Sequence, residues 1–130
     1  MSKKISFLKF IFHTSILLLI VLSLFPGSLL GLLFYGDVSH QPNLIKNPFG
    51  TTINHFVYYF CCSTLGFFLY LKEEKFKYLV LGLFLLSATL EVLHLIVPNR
   101  AFQLGDLIGN VLGVLVAYFL VKIYLYFNKS

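Results

Sequence analysis

Residues 78–97 read YLVLGLFLLSATLEVLHLIV. Only Glu91 and His94 in that run strongly prefer water. A helix rising 1.5 Å per residue needs about 20 apolar residues to cross a hydrocarbon core of about 30 Å. Lipid offers no partner to a backbone N–H or C=O, so a segment of this kind must pair its own backbone as a helix. The reading of this one run sets the class of the whole chain.

Three further runs lie around it, at residues 10–35, 53–71 and 107–127. Each is near or above the length of a membrane span. The first is too long for the apolar core of a signal peptide, and no clear A-x-A site follows it, so it is expected to stay as a membrane helix. Pro26 and Gly27 are expected to kink that run or to end its spanning part. The expected fold is an all-α membrane protein: a four-transmembrane-helix bundle, formed by residues 1–130 as a single membrane domain.

Composition supports that class. Of 130 residues, 58% are hydrophobic and 12% charged, and mean hydropathy is +0.88. Average soluble domains carry roughly 45–50% apolar and about 25% charged residues. Intrinsic disorder is excluded, and a soluble enzyme this small could not hide so much apolar surface. The net charge of +5 is not a nucleic-acid footprint, because the cations sit in short clusters between apolar runs. Cys61 and Cys62 are adjacent within one run, so they read as packing residues rather than a disulfide or zinc framework.

The connections carry the orientation. Lys3, Lys4 and Lys9 precede or open the first run, Lys72, Lys75 and Lys77 lie between the second and third, and Lys122 and Lys129 close the fourth. The other two connections are poorer in cations, with Lys46 and Arg100. By the positive-inside rule both termini are expected in the cytoplasm. Lys122 is expected to snorkel to the inner interface. The first outer connection, residues 36–52, holds Pro42, Asn43, Asn47, Pro48 and Gly50 and reads as irregular.

Ionisable residues within a membrane span are functional candidates. Glu91 lies six residues before Val97, roughly 9 Å from the outer end of its run at 1.5 Å per residue. His94 shares its helical face. The Glu-x-x-His spacing is that of di-iron carboxylate bundles, but these need a second such pair on another helix. None is present, so no metal and no cofactor are expected. His55 sits just inside the second run, with Tyr59 and Cys62 on its face. Arg100, in the third connection, offers a planar fork suited to phosphate or carboxylate. Its loop position implies that truncation weakens binding and leaves the bundle intact. Asp106 opens the fourth run, where capping of that helix is the simplest role. Asn110 lies one turn further along.

Gly105, Gly109 and Gly113 make two consecutive G-x-x-x-G steps, which permit close helix approach in lipid. Their expected use is to pack the fourth helix on the second or third; pairing two copies of the chain in a homodimer is the alternative. Gly27 and Gly31 make one further step in the first run. The orientation places His55, Glu91, His94, Arg100, Asp106 and Asn110 towards the outer leaflet, and this one-sided clustering is the most informative feature of the chain.

The stretch from Leu90 through Glu91, His94, Pro98, Arg100, Asp106 and Asn110 to Gly113 resembles the VanZ-like family of small membrane proteins. That family shows an acidic residue in a membrane helix, then proline-x-arginine, then aspartate, asparagine and glycine at this spacing. Asn54-His55-Phe56, followed by Leu65-Gly66, is similar to its earlier histidine segment. The core of the resemblance covers residues 52–118. Where the family often has glutamine this chain has His94, and where it often has an aspartate–lysine pair this chain has Thr51 and Thr52. The resemblance implies a protein of the bacterial envelope, with a namesake associated with low-level resistance to the glycopeptide teicoplanin.

Three functions follow as expectations. The first is binding or processing of an anionic envelope lipid or glycan at the outer leaflet, with Arg100 and Asn110 holding the ligand and His55, Glu91 and Asp106 supplying chemistry. The second is a non-catalytic scaffold whose polar cluster is structural. The third is a small-substrate transporter acting as a dimer. An open pocket lined by converging polar groups would favour the first, and mutually satisfied groups without a cavity the second.

Overall fold

A computed structural model of the protein describes residues 3–128; Lys129 lies outside them. The described chain is all-helical, with five helices and no strand. They are α1 (Lys3–Leu24), α2 (Leu29–Tyr35), α3 (Thr52–Tyr70), α4 (Phe76–Leu93) and α5 (Leu104–Phe127).

The first apolar run is two helices rather than one. The chain breaks at Pro26-Gly27, where Gly27 adopts φ +81. Ser28 then caps α2, its Oγ accepting the Gly31 N–H at 2.9 Å, as N-cap serines do. Gly36, in the left-handed region, closes α2. Gly27 and Gly31 do not serve a helix–helix contact. A Cβ on Gly31 would fall 1.9 Å from the His40 carbonyl oxygen, and one on Gly27 2.6 Å from that of Val38. Their role is to let the backbone of the following connection fold down onto α2. Asn54 then ties that connection to α3, accepting the Ile45 N–H at 2.9 Å and donating to Asn43 at 3.2 Å.

The third run also ends early as a helix. α4 stops at Leu93, and residues 94–96 continue with tighter i to i−3 bonds, such as His94 N–H to Glu91 O. Pro98 lies ahead and disfavours helical backbone in the residue before it.

α1, α4 and α5 are long and apolar enough to cross a membrane. α3 is not in that set; Asn54, His55 and several tyrosines reduce its hydropathy. Its position explains its composition. It packs on α1, α4 and most extensively α5, so much of its surface meets protein rather than lipid. Tyr59, Phe67, Leu83, Leu90, Val114, Ala117 and Val121 form the buried core around it. The outward faces are apolar: Leu81, Leu85 and Val92 on α4, and Ile108, Leu112, Val116 and Ile123 on α5, are exposed. This build fits a membrane protein, because in water such faces would have to be covered.

The glycine stripe is used within the chain. A Cβ on Gly109 would lie 2.7 Å from the Thr52 carbonyl oxygen, and one on Gly113 2.6 Å from that of Phe56. α5 thus meets α3 backbone to backbone. Because α3 already covers Gly109 and Gly113, a second copy would have to meet another face of the chain.

Candidate functional site

At one end of the bundle four helix termini meet: the start of α3, the end of α4, the start of α5 and the end of α1. They bring together all the residues singled out above. Glu91, His94, Asp106 and Asn110 are buried, with Glu91 only 1% exposed.

Asp106 stands in the first turn of α5, but its carboxylate turns to α3. Thr51 Oγ1 donates to it at 3.0–3.1 Å and Thr52 Oγ1 at 3.1 Å. Gln103 occupies the N-cap position without a side-chain bond. The capping role expected of Asp106 is therefore replaced by a link between two helices. The two threonines that stand where the resemblance leads one to expect charges are its donors.

Asn110 fixes the orientation and the tautomer of His55. Its Nδ2 donates to the Ser87 carbonyl at 3.2 Å. Its Oδ1 therefore faces His55 Nδ1 at 2.9 Å and must accept, so Nδ1 carries the proton. The other ring nitrogen, Nε2, points to Asp106 Oδ2 at 3.5 Å, beyond ordinary hydrogen-bond reach.

Glu91 accepts the Gln103 N–H at 2.9 Å through Oε1, tying the end of α4 to the start of α5. Its Oε2 has no aligned hydrogen-bond donor; the nearest group is His94 Nδ1 at 3.2 Å. His94 Nε2 lies 3.1 Å from the Ser23 carbonyl, an acceptor only, so Nε2 carries a proton. His94 bridges the end of α1 to Glu91. The fold also brings one ligand atom each of His55, Glu91 and Asp106, from three helices, within 4.8 Å of one another.

Arg100 reaches back across the loop to the end of α1. Its Nη2 donates to Leu22 O and its Nε to Phe25 O at 3.4 Å. The last carbonyls of a helix lack intrahelical partners, and a cation suits the negative end of the dipole. Burial lowers the proton affinity of the guanidinium and the charge of Glu91 opposes that shift; Arg100 remains charged. Its loop position was expected to leave stability untouched, but these bonds make it a tie between two segments.

Two partly open cavities meet at Arg100. One, about 150 Å³, is lined chiefly by Leu19, Leu22, Leu29, Leu30 and Leu44, with His55, Tyr59 and His94 in its wall. The other, about 300 Å³, is lined by polar groups including Ser39, Gln41, Asn99 and Gln103. Tyr59, expected on the face of His55, has a buried hydroxyl without a hydrogen-bond partner; Ser28 also belongs to this region and carried no sequence signal beyond its type.

No curated protein and no solved structure matches the chain. A family model described as VanZ/LLP1 matches residues 5–125, nearly the whole length and including every residue of the site. The chain belongs to the VanZ/LLP1 family.

Proposed function

We propose that the protein is a multi-pass component of the bacterial cell membrane that binds or processes an anionic envelope lipid or glycan at its extracytoplasmic face. In this reading α1, α3, α4 and α5 all span the bilayer, both termini are cytoplasmic, and the end carrying Arg100 faces outward. The ion pair between Lys9 and Glu73 at 2.5 Å supports a shared side for the start of α1 and the α3–α4 connection, where most cations cluster.

The observation that carries the functional reading is the junction at Arg100. An amphiphile could lay its apolar part along the leucine-lined cleft and present its anionic part to the guanidinium from the polar side. Arg100 has five N–H donors, and the bonds to α1 leave donors for a ligand. His55, in the wall of the cleft, is the group placed to exchange a proton with a ligand. Such a role at the envelope would be the route to altered glycopeptide susceptibility.

The test is native mass spectrometry of the detergent-solubilised chain with phosphatidylglycerol and phosphatidylcholine. The anionic lipid is expected to bind about tenfold better, corresponding to about 1.4 kcal/mol, with Arg100→Gln removing the preference. Equal binding of both lipids by the parent chain refutes the reading. Lipid profiles of a deletion strain, complemented with the parent chain or Glu91→Gln, then identify the native ligand.

A second reading is a structural scaffold. It is favoured by the bonds of Arg100 to α1 and of Asp106 to the two threonines, which a scaffold would need and a binding site would not. Complementation lost only in step with stability across site variants supports it.

A further inference from the structure

One potential ligand atom from each of three helices converges at the centre of the site. The relay from the Ser87 carbonyl through Asn110 engages His55 Nδ1 and leaves Nε2 as the ring nitrogen facing the centre. Asp106 Oδ2 faces it at 3.5 Å. Glu91 contributes a carboxylate within the same 4.8 Å group, and its buried Oε2 has no aligned hydrogen-bond partner, with His94 Nδ1 3.2 Å away. Two buried carboxylates this close are favoured by a positive charge near both. The chain's one arginine is directed to the carbonyls of α1, so it does not fill that place.

We propose that His55, Glu91 and Asp106 bind a divalent transition-metal ion, with Zn²⁺ the best match to one imidazole and two carboxylates. Three geometric points support it. Ligand atoms about 2.1 Å from a tetrahedral ion lie roughly 3.4 Å apart, and the His55–Asp106 separation of 3.5 Å suits a shared ion better than a hydrogen bond. Asn110 supplies the partner that metal-binding histidines use to fix their tautomer, and Thr51 and Thr52 do the same for the Asp106 carboxylate. Each ligand comes from a different helix, so the ion would join α3, α4 and α5 where their ends converge. Three protein ligands leave a fourth position open, as in catalytic rather than structural zinc sites. This inference does not rest on the lipid reading, since neither a ligand at Arg100 nor the two cavities enters it.

The experiment is calorimetric titration of Zn²⁺ into the chelator-treated full chain in detergent, without added lipid, with metal content measured after gel filtration. One Zn²⁺ per chain is expected. His55→Ala, Glu91→Gln and Asp106→Asn should each weaken binding at least tenfold, and Asn110→Ala should weaken it 10–100-fold by releasing the imidazole. His13→Ala and His40→Ala, which alter histidines outside the cluster, should bind as the parent does. Absence of stoichiometric Zn²⁺, or undiminished binding by His55→Ala, overturns the proposal. Should the cluster variants fail to fold, pulsed electron paramagnetic resonance of Mn²⁺ bound to the unaltered chain decides. Coupling to a single imidazole nitrogen upholds the site, and coupling to none or to two overturns it.

Discussion

At the residue scale the site is held by short polar side chains whose importance depends on what they face. Thr51 and Thr52 are unremarkable as residue types, yet their hydroxyls serve a carboxylate that is 3% exposed. Replacing both with valine preserves shape and removes the donors. Buried acceptors left without partners cost about 1–3 kcal/mol, so the double variant should melt well below the parent in detergent. An unchanged melting temperature would mean that Asp106 is reached by water instead. Arg100 tests a second assignment. Arg100→Ala should destabilise by about 1–2 kcal/mol, since carbonyls at the end of α1 lose charged donors. Arg100→Lys should recover only part of this, because an ammonium lacks the planar fork that reaches Leu22 and Phe25 together. The readout is thermal melting with and without phosphatidylglycerol, which separates the tie to α1 from any effect on a ligand.

At the element scale the decisive contact is α3 against α5. A leucine at Gly113 would drive its side chain at Phe56 O and Phe60 N, 2.6 and 2.9 Å from the added Cβ. Backbone atoms of a helix cannot swing aside as a side chain can, so Gly113→Leu should cost at least about 1–3 kcal/mol. Gly82 in α4 is the matched control. Nothing lies within 4 Å of a Cβ placed there, so Gly82→Ala should be neutral or should stabilise by up to about 1 kcal/mol. Equal melting temperatures for the two variants would show that α5 does not approach α3 as described. The break between α1 and α2 was legible in Pro26 and Gly27. The use of Gly31 was not, because G-x-x-x-G spacing records only that two small residues share a face, not whether a helix or a loop meets that face.

At the scale of the whole molecule α3 decides the number of spans. If α3 crosses the membrane, a single-cysteine reporter at Asn43 is labelled from outside and one at Glu73 only from inside. If α1, α4 and α5 alone cross, with the N-terminus still cytoplasmic, both positions are labelled from outside. The Lys9–Glu73 ion pair leads us to expect the first result, because a three-span arrangement would put its two partners on opposite sides of the bilayer.

The sequence by itself determined the helical membrane class, the family and the set of residues that gather at one end of the bundle. Hydropathy is a sum over consecutive residues, and helical spans in lipid need no long-range partner to pair their backbones. The order of the polar residues along the chain placed each near the same end of its own helix. Only the tertiary structure decided how each helix is rotated about its axis. Rotation turned Asp106 away from capping and towards Thr51 and Thr52, set the Asn110–His55 relay that turns Nε2 towards Asp106, and folded Arg100 onto α1. It also made α3 the central helix, which is why a run that carries Asn54 and His55 can lie at the heart of an otherwise apolar bundle. Side-chain partners depend on angles between helices that no count along the chain contains.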